Sequence, residues 1–202
     1  MKKFIAIAGN IGSGKTNLAK KLANHFGWEY FQEPFEENPY LEKYYQDMGK
    51  WAFKCEVFFL GRRLQDHLQI IESNLPTVQD RCIYEGAEVF VKNLYQNRLL
   101  DEADWQTYNN LYKAIKKTLT PPELIIYAKS STDRCIKNIT KRNRNVEFHL
   151  NNTYISDLNH LYEEWSRDFK DCPIIIANGD QNDFKYNEKD FLKLAEKIKK
   201  SL

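Results

Sequence analysis

Residues 4–16 read Phe4-Ile5-Ala6-Ile7-Ala8-Gly9-Asn10-Ile11-Gly12-Ser13-Gly14-Lys15-Thr16 and predict a buried strand, a glycine-rich loop and the start of a helix. The stretch from Gly9 to Thr16 fits the pattern G-x-x-x-x-G-K-[ST], in which glycines let backbone N–H groups surround phosphate oxygens. In this pattern Lys15 neutralises the outer phosphates and Thr16 binds Mg²⁺. An ordinary glycine turn lacks the flanking context found here, a β-rich apolar run before the loop and apolar residues at helical spacing after it. The stretch therefore predicts a nucleotide-binding P-loop.

The bulk composition favours one compact unit that acts on a small molecule. The chain has 202 residues and a formal net charge of +2. It has no linker-like tract and no fixed repeat, so we expect a single domain over residues 1–202. A nucleic-acid-binding domain usually carries a strong basic charge, which this composition lacks.

The sequence also favours a cytoplasmic location. The first predicted strand begins close to Met1, without the regions of a secretion signal. The longest apolar runs are shorter than the ~20 residues that cross a bilayer, so no membrane partner is expected. The cysteines are scattered without a C-x-x-C pair, which suits buried thiols in a reducing compartment better than a zinc site or disulfides.

Strand and helix patterns alternate along the chain. Apolar or β-rich runs predict five strands, at residues 4–8, 28–32, 76–81, 124–128 and 173–177. Amphipathic runs predict helices from the P-loop to about Gly27, and at 39–49, 51–74, 83–98, 101–118, 132–141, 151–170 and 188–202. Such alternation predicts an α/β fold, a five-stranded parallel sheet flanked by helices on both faces.

Charged residues follow two of the predicted strands. Glu33 ends the second strand, and Asp80 and Arg81 end the third, at the sheet edge where open α/β folds bind ligands. A strand-end acid helps hold the magnesium of a P-loop enzyme, which suits Asp80. Arg81 suits substrate or phosphoryl oxygens. For Glu33, a catalytic role and a solvated loop position are about equally compatible with its place in the sequence.

Two further charged groups have alternative interpretations. Glu56 and Arg63 lie seven residues apart on one predicted helix face, where they could pair with each other or share a ligand. Residues 141–144, Lys-Arg-Asn-Arg, either form a solvated helix end or close as a lid over a transferring phosphoryl group. The P-loop elsewhere in the chain favours the lid, over about residues 138–150.

Taken together, these motifs resemble the deoxyribonucleoside kinases over nearly the whole chain, and most of all the small bacterial purine-deoxynucleoside kinases. The matching pieces are the P-loop, Glu33-Pro34, residues 51–53 with position 56, Asp80-Arg81, the run from Lys141 to Glu147, and residues 179–184. The resemblance implies ATP as phosphate donor, Mg²⁺, a deoxynucleoside acceptor and a homodimer. In the sequence, we expect the aromatic-rich helices at 39–60 and 85–112 to offer an apolar face for that dimer.

The resemblance also assigns roles to individual residues. Glu33 is the implied general base on the 5′-hydroxyl, and Arg81 orients it. The other implied roles are Asp80 at the magnesium, Tyr45 and Glu147 at the 3′-hydroxyl, Phe90 stacked on the base, Arg142 and Arg144 in the lid, and Asp183 and Phe184 near the donor adenine.

The chain departs from the family pattern at the base pocket and in the lid. Glu56 stands where many members have glutamine, and Gly86 replaces an acid that pairs with the position of Arg63. We expect Glu56 to balance Arg63 instead, leaving a roomier pocket beside Gly86. In the lid, Asn138 and Asn143 replace an expected arginine and glycine.

These patterns predict transfer of a phosphoryl group from ATP to a deoxynucleoside. The space beside Gly86 favours a purine. An ionised Glu56 favours guanine, whereas the 79–81 strand end resembles the deoxyadenosine branch. Deoxyadenosine is therefore our first choice, then deoxyguanosine, with weaker deoxycytidine activity. A nucleoside-monophosphate kinase and a catalytically silent ATP-binding regulator remain as alternatives.

Overall fold

The computed structural model describes residues 3–144 and 150–202. Five parallel strands form one sheet in the order β2-β3-β1-β4-β5. The strands are β1 (Phe4–Ala8), β2 (Glu29–Phe31), β3 (Thr77–Asp80), β4 (Leu124–Lys129) and β5 (Ile174–Asn178). The predicted parallel sheet is therefore confirmed, with strand ends within one residue of those expected.

Helices cover both faces of the sheet, as the sequence predicted. They are α1 (Lys15–Phe26), α2 (Leu41–Gln46), α3 (Met48–Glu72), α4 (Ile83–Glu85), α5 (Lys92–Gln96), α6 (Glu102–Lys116), α7 (Thr132–Arg142), α8 (Asn152–Asp168) and α9 (Glu188–Ser201). A π-helical segment, Gly86–Val91, joins α4 to α5, and a 3₁₀ turn spans Phe35–Glu37.

The central strand β1 shows why the sequence is apolar at consecutive positions. Phe4, Ala6 and Ala8 pack into the core under α2, α3, α6 and α8. Ile5 and Ile7 point to the other face, into the core formed with α1 and α9. Successive side chains of a strand point to opposite faces, so a strand buried on both faces needs an unbroken apolar run.

The main differences from the predicted elements have local causes. The break between the predicted helices 39–49 and 51–74 falls at Asp47, whose carboxylate accepts a hydrogen bond from the Lys50 N–H at 3.1 Å and caps α3. The predicted helix 83–98 contains the π-helical segment, a widening that apolar spacing does not reveal. Gly27, with φ 66°, ends α1 as predicted.

Two further observations concern the helices and the predicted lid. Among the residues described, no helix is long and apolar enough to cross a membrane. The predicted lid over about residues 138–150 is described only through Arg144 and again from Leu150, so Glu147 lies outside the described residues.

Candidate active site

The P-loop has the backbone shape that its glycines allow. Gly12 and Gly14 have φ angles of 80° and 89°, in the region that residues with a side chain rarely adopt. Gly14 is the N-cap of α1, so the loop leads directly into the positive end of a helix dipole. Lys15, the first residue of α1, is buried at 8% exposure.

Two helices from the second half of the chain hold this loop in place. The Asn138 amide of α7 donates a hydrogen bond to the Gly12 carbonyl at 2.8 Å. The Asn10 amide donates to the Ile155 carbonyl at 2.9 Å and to Asn159 Oδ1 at 2.6 Å, both on α8. Asn138, which departs from the family pattern, thus joins the start of the predicted lid to the phosphate-binding backbone.

Glu33 is held by two arginines from different elements. Arg63 Nη2 of α3 donates to Glu33 Oε1 at 2.8 Å, and Arg81 Nε, after β3, donates to Glu33 Oε2 at 2.9 Å. The Glu33 side chain is 14% exposed, and both arginine side chains are almost fully buried. The alternative of a solvated loop glutamate is therefore wrong.

These cations keep Glu33 ionised. Burial raises the pKa of Glu33, but Arg81, Arg63 and Lys15 outweigh that effect and lower the pKa to about 2. Burial and the charge of Arg81 lower the pKa of Lys15, against the opposing attraction of Asp80 and Glu33. An anionic carboxylate thus lies close to the lysine of the P-loop.

Glu85 and Tyr162, for which sequence patterns predicted no function, connect Arg81 to the P-loop. Glu85 is fully buried and accepts hydrogen bonds from the Gly9 N–H at 3.0 Å, from Arg81 Nη1 at 3.3 Å and from the Tyr162 hydroxyl. Tyr162 also lies 2.9 Å from the Gly9 carbonyl. Glu85 is three residues after Cys82, at the N3 position of a capping box, which was a usable signal. Nothing local marks Tyr162.

Arg81 itself has an unusual backbone. Its φ of 71° lies in the left-handed region, which costs a non-glycine residue about 1–3 kcal/mol. A hydrogen bond from its N–H to the Ile7 carbonyl of β1 at 2.9 Å holds this conformation. Its guanidinium carbon lies 4.5 Å from the centroid of the Phe90 ring. Surrounding structure therefore fixes Arg81 beside both Glu33 and Phe90.

A cavity of about 250 Å³ opens beside this cluster. It brings together most of the side chains that the sequence singled out: Lys15, Thr16, Glu33, Tyr45, Glu56, Arg63, Asp80, Arg81, Phe90, Arg142 and Arg144. Residues separated by up to 129 positions in the sequence, from Lys15 to Arg144, thus line the same cavity.

The expected pairing of Glu56 with Arg63 is wrong, and so is the roomier pocket beside Gly86. Arg63 pairs with Glu33 instead. A Cβ atom on Gly86 would clash with Arg63 Nη1, so the arginine fills the space that an acid would occupy. Gly86 therefore makes room for Arg63 and does not enlarge a base pocket.

The described part of the predicted lid reaches the cavity. Arg142 ends α7, and the Arg144 guanidinium lies 4.9 Å from the Phe35 ring centroid. Between them, Asn143 ends the helix with φ 51°, a left-handed conformation that asparagine tolerates better than most residues. The replacement of the expected glycine by Asn143 therefore keeps the turn that carries Arg144 to the cavity.

Asp80 and Thr16 fit the magnesium role predicted for them. Asp80 is 3% exposed, and its Oδ1 atom has no hydrogen-bond partner among the described residues. Its other oxygen accepts a hydrogen bond from the Tyr30 hydroxyl at 3.3 Å. Carboxylate and hydroxyl oxygens are the ligands that Mg²⁺ prefers.

Asp183 and Phe184 do not line this cavity. Asp183 Oδ1 accepts hydrogen bonds from the N–H groups of Lys185 and Tyr186 at 3.1 and 3.0 Å, and the Phe184 carbonyl accepts from Lys21 of α1 at 3.3 Å. Asp180 of the same turn accepts from the Ser131 N–H before α7 at 2.7 Å. The turn thus contacts the P-loop helix and the start of α7, and its role at a donor adenine stays a prediction.

Comparison with known proteins identifies the family. The family model described as deoxynucleoside kinase matches residues 5–202. The chain belongs to the deoxynucleoside kinase family. Among the relatives of this kinase is the deoxyadenosine kinase of Lactobacillus acidophilus, which is 34% identical over 98% of both chains. The deoxyadenosine/deoxycytidine kinase of Bacillus subtilis is 30% identical, over 96% of this chain and 91% of its own length.

Solved structures agree with this assignment. The deoxyadenosine kinase of M. mycoides with bound dCMP and dCDP has a TM-score of 0.86 and 30% identity, covering 98% of this kinase and 99% of its own chain. The same enzyme with bound dATP also has a TM-score of 0.86, at 29% identity. The kinase is thus an α/β enzyme of the phosphotransferase class with a P-loop kinase fold.

Proposed function

We propose that this kinase transfers the γ-phosphoryl group of ATP to the 5′-hydroxyl of a deoxynucleoside, with deoxyadenosine as preferred acceptor. One observation carries the proposal. Glu33, a carboxylate kept ionised by Arg63 and Arg81, lines the same cavity as Lys15 of the P-loop. This arrangement provides a proton acceptor beside the group that binds the donor phosphates.

The donor end is formed by the P-loop. Its backbone N–H groups and Lys15 bind the phosphates of ATP, and Asp183 and Phe184 contact the adenine. Thr16 and Asp80 hold Mg²⁺, which supplies neutralisation of phosphate charge when bound. Asp80 lines the cavity and its Oδ1 atom has no partner among the described residues, which supports this part of the proposal.

The acceptor end is formed by Glu33, which follows β2, and by side chains from α2, α3 and the β3–α5 region. Glu33 accepts a hydrogen bond from the 5′-hydroxyl and takes its proton, and Arg81 fixes the Glu33 carboxylate. Tyr45 and Glu147 bind the 3′-hydroxyl, Phe90 stacks on the base, and Arg63 supports Glu33. Tyr45 and Phe90 both line the cavity, which supports their roles.

Transfer depends mainly on position and charge. In the transition state the transferring phosphoryl group carries negative charge on its outer oxygens, so cations around it lower the barrier. Lys15, Arg142 and Arg144 are the cations proposed for this task, and the two arginines act from the lid. Since all three line the cavity with Glu33, donor and acceptor groups lie within one enclosure.

The choice of base rests on the relatives. Deoxyadenosine appears in the names of the L. acidophilus and M. mycoides kinases and of one B. subtilis kinase. A deoxyguanosine kinase of B. subtilis is 32% identical, so deoxyguanosine is the second candidate. The space beside Gly86 no longer supports a purine, because Arg63 fills it.

Initial rates with the four natural deoxynucleosides at equal concentration test this order. We expect ADP formation to be fastest with deoxyadenosine, slower with deoxyguanosine and weak with deoxycytidine. Thymidine as the best acceptor would contradict the proposed base site. The predicted cytoplasmic location is not tested by these rates and stays a prediction.

The same assay separates the two alternative functions. The acceptor phosphate of a nucleoside monophosphate would meet the ionised Glu33, so we expect monophosphates to give little turnover. Faster turnover of a monophosphate would indicate a nucleoside-monophosphate kinase. ATP binding without turnover of any acceptor would indicate a silent regulator.

We also propose a homodimer. Leu68 and Ile71 of α3 and Leu111 of α6 are large apolar side chains that are 44%, 37% and 44% exposed. They provide apolar surface on two neighbouring helices, α3 and α6, which contact each other. This surface supports an interface that includes α3 and α6.

Size-exclusion chromatography with light scattering is expected to give twice the chain mass of 24.0 kDa at micromolar concentration. Leu68→Glu combined with Leu111→Glu is expected to give the monomer, because it places charge in the apolar contact. Leu192→Glu, on α9, is the control, since Leu192 is equally exposed at 45% but lies on the opposite face of the sheet. A wild-type monomer would refute the dimer.

A further inference from the structure

Glu56 is a buried carboxyl group on the cavity wall that makes no compensating contact at one oxygen. It lies on α3, is 4% exposed and lines the same cavity as Glu33. Its Oε2 atom has no hydrogen-bond partner among the described residues. A buried polar atom without a partner costs about 1–3 kcal/mol, so this carboxyl group of a cavity-lining residue is suited to take a hydrogen-bond partner from a ligand.

The arginines near Glu56 are already engaged by other carboxylates. Arg63 donates to Glu33, and Arg81 donates to Glu33 and Glu85. Further titratable groups among the described residues also interact with Glu56, and they are uncharged at neutral pH. They are Cys55 of α3, Tyr44 of α2, Tyr108 of α6 and Tyr154 of α8, and burial raises the pKa of each.

This environment favours the protonated form of Glu56. Burial raises its pKa to about 7, and the negative charge of Glu33 also raises it, against the opposing effect of Arg63 and Arg81. A carboxylic acid has one O–H donor and one carbonyl acceptor, whereas a carboxylate has acceptors only. The acid therefore presents a donor beside an acceptor, the same pair of functions that a glutamine amide presents.

We propose that Glu56 binds the base of the acceptor as a neutral carboxylic acid, so that its ionisation removes deoxyadenosine and deoxycytidine as good substrates but retains deoxyguanosine. The inference rests on the proposed function and adds its specificity-determining group. It makes the choice of base a function of pH.

The hydrogen-bonding edges of the bases give the reason. Adenine offers the N1 acceptor beside the 6-amino donor, and cytosine offers N3 beside the 4-amino donor. Both match the O–H and C=O of the acid, but a carboxylate would face the ring nitrogen lone pair. Guanine offers two donors, N1–H and the 2-amino group, that a carboxylate accepts, and its O6 and N1–H match the acid. A site whose polar group is left unpaired rejects a substrate strongly.

The test measures kcat/KM for deoxyadenosine and deoxyguanosine between about pH 5.5 and about pH 8.5. The ratio of the two values cancels pH effects common to both reactions, including those on ATP binding. Glu33 stays ionised over this range, because its pKa is about 2. We expect the deoxyadenosine-to-deoxyguanosine ratio to fall about tenfold per pH unit above the pKa of Glu56.

Glu56→Gln is the matched variant, because its amide keeps a donor and an acceptor at every pH. We expect this variant to phosphorylate deoxyadenosine with a ratio that does not change with pH. A wild-type ratio that is constant with pH, or a variant ratio that falls as steeply, would overturn the inference. If neither deoxynucleoside is phosphorylated, the proposed function itself is wrong.

Urea unfolding gives a readout that does not need turnover. The pKa of Glu56 is raised from 4.5 to about 7 in the folded protein, so the folded state binds more protons between these values and its stability falls as pH rises through them. Glu56→Gln lacks this titration. The urea midpoint of the variant should therefore rise relative to that of the wild type from about pH 5 to about pH 8. A difference between the two midpoints that does not change with pH would refute a protonated Glu56.

Discussion

Glu33→Gln is expected to lower kcat by about 10²- to 10⁴-fold while ATP still binds, because glutamine cannot accept the proton of the 5′-hydroxyl. The substitution also leaves Arg63 and Arg81 without their shared carboxylate. An unpaired buried charge is destabilising, so the variant should be assayed well below its unfolding temperature. Single-turnover rates and binding of a fluorescent ATP analogue provide the two measurements.

Two further variants separate proton transfer from charge and stability. Glu33→Asp keeps the negative charge, so it should recover most of the stability that Glu33→Gln loses. Its kcat should recover less, because the shorter side chain moves the carboxylate oxygens away from the 5′-hydroxyl. Glu42→Gln removes an exposed carboxylate of α2 and should leave kcat unchanged. A Glu33→Gln enzyme with wild-type kcat would remove Glu33 from the role of base.

Gly12→Ala is expected to reduce the free energy of unfolding by about 4 kcal/mol. The left-handed backbone at φ 80° costs an alanine about 1–3 kcal/mol. The added Cβ would clash with the Cys135 carbonyl of α7, a backbone atom that cannot move aside, for a further ~1–3 kcal/mol. Urea unfolding in the absence of nucleotide measures this loss without any contribution from ATP.

Gly14→Ala is the matched control, since Gly14 has a similar φ of 89° but no atom within 4 Å of the added Cβ. It should lose only the ~1–3 kcal/mol of backbone strain. Equal losses of unfolding free energy in the two variants would show that the contact between the P-loop and α7 does not contribute to stability. A larger loss at Gly12 would show that α7 supports the loop.

Sequence patterns predicted the sheet because a strand that is buried on both faces has consecutive apolar residues in its sequence. In β4, Ile125 packs into one core and Ile126 into the core on the other face. Sequence patterns also predicted which strand ends carry charge. Parallel strands bring their carboxyl ends to one edge, so Glu33 and Arg81 had to lie near the P-loop. This much follows from topology alone.

Pairing among these charges could not be predicted, because it depends on side-chain geometry across elements. The i, i+7 spacing suggested Glu56 for Arg63, yet Arg63 reaches Glu33 from a different element. Tyr162 joins Arg81 to the Gly9 carbonyl across 81 residues of sequence, a contact that no local pattern encodes. The contacts of Arg63, Arg81 and Tyr162 could therefore be identified only from the three-dimensional structure.

The π-helical segment Gly86–Val91 makes the position of Phe90 depend on the number of residues that separate it from Arg81. A π-turn contains one residue more than an α-turn, and each residue of a helix turns the chain by about 100°. Deleting one residue from the segment would restore regular helix and swing Phe90 away from the Arg81 guanidinium. We therefore expect a relative that is one residue shorter between Arg81 and Phe90 to have a differently built cavity wall.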